Sequence, residues 1–274
     1  MSRQSTLALR DGRAIPQLGF GVYQIPPGEG TRTAVASALD VGYRHVDTAA
    51  VYRNEADVGT AIRASGLEPG SVWVTTKLAN GDQGAATARR AFETSLQRLG
   101  LDGVALYLLH WPHERRLESW SVLEQLHAEG LARSIGVSNF LVRHLDELLA
   151  HASVAPAVNQ IELSPFLYRS REDTLRRCAE EGIVVEAYSP LTKGRRLGDP
   201  TIASVAAEVG RTPAQVLIRW SLQKGFVVLP RSANASRIAE NAAVFDFSLD
   251  DAQMDALDAL DEGLTTGWDP GRLV

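Results

Sequence analysis

Short apolar runs alternate with longer amphipathic stretches along nearly the whole chain. Leu7 to Leu9 and Ala14 to Ile15 flank Asp11-Gly12, a strong turn pair, and predict a small hairpin. G-F-G-V-Y-Q (Gly19–Gln24) predicts a short strand, and Thr31 to Asp40 an amphipathic helix. A strand around Tyr43 to Val46 delivers Asp47 into a loop. Tyr52 follows, and a helix opens at Asn54 with Glu55 in its first turn and runs to about Ser65. Asn54 suits a helix N-cap, and an early Glu suits the helix dipole. The alternation then repeats: strand Val72 to Thr76, helix Ala85 to Leu99; strand Val104 to Leu109, helix Trp120 to Glu129; strand Ser134 to Val137, helix Val142 to Ala150. It continues with strand Ala157 to Gln160, helix Glu172 to Glu181; strand Ile183 to Ala187, helices Thr201 to Val209 and Thr212-Pro213 to Lys224. A last strand, Phe226 to Leu229, precedes helices at Ser236 to Ala243 and Asp250 to Leu260.

Strands that alternate with helices imply a parallel sheet, and the unbroken apolar run Val104 to Leu109 suits a strand buried on both faces. Eight such units in about 250 residues match a closed (β/α)8 barrel. A doubly wound sheet is the alternative. It is weakened because Gly19-x-Gly21 has no third glycine where a dinucleotide fingerprint needs one; that position is Gln24. No linker or composition break divides residues 1–274, so one α/β domain is expected: a TIM barrel closed at the bottom by the N-terminal hairpin, with extra C-terminal helices.

Composition narrows the function. The 274 residues are 45% hydrophobic and 22% charged, with net charge −5. That balance argues against general nucleic-acid or membrane-surface binding. The one cysteine, Cys178, excludes an internal disulfide and reads as a small, partly buried residue on a helix. The N-terminus carries no signal-like apolar run and no stretch is long enough to span a membrane, so a cytoplasmic location is expected. His113, His127, His144 and His151 show no tight metal-ligand spacing, and the His144–Glu147 pair alone is weak. The pairs Arg115-Arg116 and Arg195-Arg196 read as solvated surface.

In a barrel, every strand's C-terminal end faces one mouth. Those ends carry Asp47 and Tyr52, Lys77, His110, Ser138-Asn139, Gln160, Tyr188 and Arg231-Ser232. Taken singly, Asp47 is more often a cap, Tyr52 a packing residue, Lys77 a solvated charge and His110 a core histidine; the joint placement reverses that. Two chemistries fit the set. One is a Lys77 Schiff base serving an aldolase or isomerase. The other is carbonyl reduction with Tyr52 as the acid. A free tyrosine has a pKa of about 10, too high for an efficient donor near neutrality, and a nearby ammonium lowers it. Lys77 supplies that ammonium, Asp47 holds it, and His110 polarises the carbonyl oxygen.

The motifs G-F-G-V-Y-Q, G-Y-R-H-V-D-T-A-A-V-Y-R-N-E, T-T-K-L, L-L-H-W-P, I-G-V-S-N-F, A-V-N-Q-I-E, E-A-Y-S-P-L and L-P-R-S-A-N-A-S-R-I-A-E-N occur in this order over almost the whole chain. In that order they resemble the aldo-keto reductase superfamily, closest to the bacterial branch of the 2,5-diketo-D-gluconate reductases. The resemblance implies a monomeric, NADPH-dependent reductase of aldehydes and ketones with a tetrad of Asp47, Tyr52, Lys77 and His110. It implies that Ser138, Asn139 and Gln160 hold the nicotinamide carboxamide, that the ring stacks on Tyr188, and that Ser189 and Leu191 line the pyrophosphate; Lys193 and Arg195, solvated by default, are further candidates near it. Arg231, Ser232 and Arg237 would clamp the 2′-phosphate, and Glu240 and Asn241 would meet the adenine. Arg231 stands where the family often has Lys. Ala79 stands where the family commonly has Trp, which widens a pocket walled by Tyr23, Trp111 and Tyr52, with Trp268 of the short tail as a candidate cover. The segment from Pro112 to Trp120 looks shorter than in relatives. A rival from another class is a cofactor-bound redox-sensing or regulatory subunit on the same fold, with little turnover.

Overall fold

The computed structural model describes residues 5–272. β1 (Thr6–Ala8) and β2 (Ala14–Pro16) form the antiparallel hairpin, with Leu7 opposite Ile15. Its buried Leu9 and Ile15 pack on Leu106, Leu108, Val158, Val227 and Leu229. The hairpin thereby covers the lower end of the barrel lumen, and Ser134 Oγ donates to Asp11 Oδ2 (2.6 Å) to hold its turn.

Eight parallel strands follow in sequential order: β3 (Phe20–Gly21), β4 (His45–Asp47), β5 (Trp73–Leu78), β6 (Val104–Leu109), β7 (Ala132–Ser138), β8 (Val158–Glu162), β9 (Val184–Tyr188) and β10 (Val227–Leu229). The sheet curls until its edges meet. Leu18 bridges Val228, the Gly19 amide donates to Val228 O (2.9 Å) and the Gly21 amide to Pro230 O (3.1 Å). This seam explains the failed glycine fingerprint. A Cβ on Gly19 would stand 2.5 Å from Leu229 Cδ2 and 2.7 Å from His45 Nδ1. The glycine therefore serves barrel closure, not phosphate binding.

Among the described residues ten α-helices pack outside: α1 (Glu29–Asp40), α2 (Glu55–Ala64), α3 (Ala88–Leu99), α4 (Arg116–Ala128), α5 (Val142–His151), α6 (Glu172–Glu180), α7 (Pro200–Val209), α8 (Pro213–Gln223), α9 (Ala235–Ala242) and α10 (Asp251–Asp258). Of the two beyond one per strand, one lies between β9 and β10 and the other near the C-terminus. Thr212 caps α8 as expected: its Oγ1 accepts from the Gln215 amide (3.3 Å) while Gln215 Oε1 accepts from the Thr212 amide (3.0 Å).

Three local expectations are corrected. The Asn54 side chain makes no capping bond to α2. It is buried, accepts from Thr48 Oγ1 (2.8 Å) and donates to Val22 O (3.1 Å), so it joins the β3 and β4 loops. Helix α4 begins at Arg116, not Trp120, so half of the presumed substrate loop is helical. Arg116 is not a solvated charge, because it is mostly buried against Glu147 on α5.

Candidate active site

The strand register sets the site. Side chains two apart on a barrel strand share a face. Gln160 and Glu162 on β8, and Glu186 and Tyr188 on β9, therefore belong to one layer, with Gln160 paired to Glu186 and Glu162 to Tyr188. Above them, at the C-terminal end, opens a cavity of about 1320 Å³. Every site residue predicted from the sequence lines it except Lys77 and Arg195. Asp47, Tyr52, His110, Ala79, Trp111 and Trp268 line it, as do Arg231, Ser232, Arg237, Glu240 and Asn241. Ser138, Asn139, Gln160, Tyr188, Ser189 and Leu191 line it too, with Tyr23 half exposed.

Lys77 is fully buried behind this wall. Its ammonium donates to Asp47 Oδ1 (2.7 Å), Asp47 Oδ2 (2.8 Å) and Thr48 O (2.9 Å). All three N–H bonds are thereby committed and no face of the amine meets the cavity. This geometry speaks against a Schiff base on Lys77, which needs an accessible neutral amine. The ammonium instead sits 5.2 Å from the centre of the Tyr52 ring.

Tyr52 and His110 meet edge to face, with ring centres 5.7 Å apart, and Tyr23 stands 5.0 Å from Tyr52 on the other side. The expected lowering of the Tyr52 pKa does not occur. Burial, then Asp47 and Tyr23, push it well above 10, so the phenol keeps its proton throughout the neutral range. Asp47 holds the Lys77 ammonium and offsets part of its charge, and burial outweighs what remains. His110 goes the other way. Burial, aided by the charge of Lys77, lowers it to about 3, so the imidazole is neutral.

The middle of the cavity is a closed hydrogen-bond chain. Asn139 Nδ2 donates to His110 O (3.0 Å) and Ser138 Oγ (3.0 Å), and its Oδ1 accepts from Tyr188 OH (2.8 Å). Ser138 Oγ donates to Gln160 O (2.9 Å). Gln160 Nε2 donates to Asp47 Oδ2 and Glu186 Oε2, both at 2.8 Å. Asn139 has φ 65°, a left-handed conformation that Asn tolerates better than most residues.

Arg231 donates from Nε to Tyr23 O (2.9 Å) and from Nη2 to Gln24 O. Its fork is thus partly committed to the β3 loop, and the outer Nη1/Nη2 edge remains for a ligand. Glu240 accepts from Thr212 Oγ1 (2.7 Å). Arg195 does not line the cavity, whereas Lys193 does and donates to Thr266 O (2.8 Å). Trp268 is a rim residue rather than a cover: it is 71% exposed, 6.0 Å from the Trp111 ring. Its segment is held by Glu162, which accepts from the amides of Thr266 (2.7 Å) and Gly267 (3.3 Å).

Sequence reasoning missed Glu186, His45 and Glu162. The period-2 rule carried a signal for two of them, since Glu186 precedes Tyr188 by two and Glu162 follows Gln160 by two. Cys178 is fully buried, and burial raises its thiol to about 11. Among the described residues no three His, Cys, Asp or Glu side chains are grouped to hold a metal, and no helix is long and apolar enough to cross a membrane.

An (β/α)8 barrel with an acid, a phenol, a buried ammonium and an imidazole at its C-terminal mouth is the architecture of a carbonyl-converting oxidoreductase. Residues 17–262 match the model of the aldo/keto reductase family, and the chain belongs to that family. It is 49% identical to an aldo-keto reductase of Mycobacterium sp. (strain MCS) over 268 residues, covering 97% of this chain and 94% of that one. It is 47% identical to morphine 6-dehydrogenase of Pseudomonas putida over 278 residues, covering 96% and 93%. The crystal structure of a Bombyx mori aldo-keto reductase in complex with NADP superposes with a TM-score of 0.90 at 33% identity, covering 97% of this chain and 95% of that one.

Proposed function

We propose that this protein reduces aldehydes and ketones to alcohols with NADPH, with Tyr52 as the proton donor. The observation that carries the reading is that one cavity is lined by the Tyr52–His110 pair, by Tyr188 and by the cations Arg231 and Arg237. The residues fit a nicotinamide dinucleotide phosphate. Gln160 Oε1 and Asn139 Oδ1 are acceptors suited to a primary carboxamide's N–H bonds, while Arg231, Arg237 and Ser232 suit a dianionic phosphate. The bound nicotinamide would supply the hydride.

The chain's own residues do the rest. His110, neutral, donates a hydrogen bond to the substrate carbonyl oxygen and polarises it. As the carbonyl carbon accepts hydride, its oxygen takes the proton of Tyr52, and the product is the alcohol. The tyrosinate left behind faces Lys77 at close range, and the ammonium's charge then stabilises it. Lys77 thus offsets part of what burial adds to the cost of ionising Tyr52, and the net shift of the phenol stays upward. Asp47 keeps the ammonium in place. The site also admits bulky substrates: Ala79 and Gly81 leave room beside Trp111 and Trp268. The similarity to morphine 6-dehydrogenase supports that breadth, and the resemblance to 2,5-diketo-D-gluconate reductases adds keto sugar acids. The reading goes with a monomeric single-domain cytoplasmic protein whose partners are small carbonyl compounds.

The test is NADPH oxidation, followed by nicotinamide absorbance, over a panel of activated aldehydes, diketones and multi-ring ketones. Wild type is expected to turn over, and Tyr52→Phe to lose reduction while it still binds NADPH. Reduction by Tyr52→Phe would show the proton donor to be misassigned. Tight NADPH binding without turnover on any carbonyl would favour the redox-sensing alternative.

A further inference from the structure

We infer that Glu186 is a positioning residue for the cofactor's carboxamide: together with Asp47 it takes both amide protons of Gln160 and so fixes Gln160 Oε1 as an acceptor toward the cavity. The inference rests on the NADPH reading above and adds a residue that neither the tetrad nor the cavity wall contains.

Glu186 is fully buried in the barrel lumen, beside Gln160 in the β8–β9 register. Gln160 Nε2 lies 2.8 Å from Glu186 Oε2 and 2.8 Å from Asp47 Oδ2. An amide nitrogen has two protons, so both are used. The reversed amide would place its oxygen 2.8 Å from the Asp47 carboxylate that pairs with Lys77, so the orientation follows from chemistry. Oε1 then has no protein donor among the described residues, and Gln160 lines the cavity. Asp47 alone would hold one proton only. The second would be a buried donor without a partner, and the terminal torsion of Gln, which has broad minima, would be free to turn.

The groups that face Glu186 are Asp47, Lys77, Gln160 and His45. Its other oxygen, Oε1, lies 3.5 Å from His45 Nε2 and has no hydrogen-bond partner. His45 Nε2 is itself 3.1 Å from Thr75 Oγ1, and Nδ1 is 3.3 Å from Pro16 O. Burial, then Asp47, raise Glu186 to about 8, so at neutral pH the side chain is an uncharged acid. Its oxygen Oε2 accepts from Gln160 Nε2, and Oε1 lies on the His45 side. A glutamine at position 186 offers the same acceptor, whereas methionine offers none and threonine is too short.

The experiment compares binding of NADP and of its 3-acetylpyridine analogue, in which a methyl replaces the carboxamide nitrogen, by quenching of tryptophan fluorescence. Wild type, Glu186→Gln, Glu186→Met and Glu186→Thr are titrated, with melting temperatures recorded. Wild type and Glu186→Gln are expected to prefer NADP, because Gln160 Oε1 can accept from the amide but not from the methyl. Glu186→Met and Glu186→Thr are expected to bind NADP about fivefold to thirtyfold more weakly, the loss of one well-placed hydrogen bond, and to lose most of the preference. The ratio of the two Kd values belongs to the folded fraction, so destabilisation alone does not move it. An unchanged ratio in both variants would overturn the inference, as would Glu186→Gln behaving like Glu186→Met. A wild type that binds NADP without discriminating the analogue would overturn it while sparing the cofactor reading. A wild type that binds no NADP would overturn both.

Discussion

Replacing Asp47 with alanine tests the architecture of the site without reference to its chemistry. The Lys77 ammonium is fully buried and holds three acceptors, two of them on Asp47 at 2.7 and 2.8 Å. Asp47→Ala leaves only Thr48 O at 2.9 Å, and also strips one of the two acceptors from Gln160 Nε2. Removing one partner of a buried ion pair costs about 3–5 kcal/mol, because the remaining charge lies in low dielectric without compensation. At roughly 2–4 °C per kcal/mol for a chain of this size, the melting temperature should fall by about 6–20 °C. Urea unfolding of the cofactor-free protein, followed by tryptophan fluorescence, measures the loss. The double variant Asp47→Ala/Lys77→Met removes the stranded charge and should recover much of it, giving a coupling energy of several kcal/mol in a double-mutant cycle. Two results would refute the reasoning: a single-variant loss below about 1 kcal/mol, or a double variant as unstable as the sum of the singles.

Other expectations follow from the same geometry. Arg231→Ala should raise the KM for NADPH about 10- to 100-fold more than that for NADH, the worth of one or two charge-assisted hydrogen bonds to phosphate; an equal rise for both would remove the 2′-phosphate role. The same variant should weaken carbonyl binding as well, since Arg231 anchors the backbone of Tyr23 and Gln24. Gly59→Ala should destabilise by roughly 2–3 kcal/mol or more, because its Cβ would fall 1.8 Å from Leu99 O and force α2 from the end of α3; a calorimetric loss near zero would contradict the packing. Stability should also carry a pH signature. His45, lowered to about 4, and His110, lowered to about 3, bind protons more readily unfolded, so their contribution is lost as pH falls below about 6.5. Glu186, raised to about 8, holds its proton more firmly when folded, so its contribution is lost as pH rises from about 4.5 to 8. Between pH 6.5 and 8 only Glu186 of these three acts, with a slope of up to about 1.4 kcal/mol per pH unit, and Glu186→Gln should flatten the urea midpoints across that window.

The fold was legible because barrel strands are short and buried on both faces. The run Val104 to Leu109 reads as one strand and is one, and Thr212-Pro213 reads as a helix start and is one. What misled was local chemistry with two uses. Asn54 has the composition of an N-cap, yet its amide joins two loops. Arg116 looks like half of an exposed basic pair, yet Glu147, thirty-one residues later, draws it inward as α4 starts. In each case a partner distant in sequence outcompeted the nearest one. Periodicity over a single element cannot register such a partner.

The candidate site divides along the same line. Which residues reach the mouth depends only on strand ends, so Asp47, Tyr52, His110, Asn139, Gln160, Tyr188 and Arg231 could be placed by position. What each side chain does there depends on which atoms across the lumen take its hydrogen bonds. Lys77 was expected to lower the Tyr52 pKa. Asp47 holds that ammonium at two points, and burial leaves the phenol harder to ionise. Gln160 was expected to hold the nicotinamide carboxamide. Glu186 and Asp47 take the nitrogen and leave the oxygen. Arg231 was expected to clamp the 2′-phosphate. Two backbone carbonyls already hold one edge. These are all corrections of valence rather than of location. A barrel brings eight strand ends to one mouth, so every polar group there has several partners within reach. The lumen pairs settle which of its atoms remain free for chemistry.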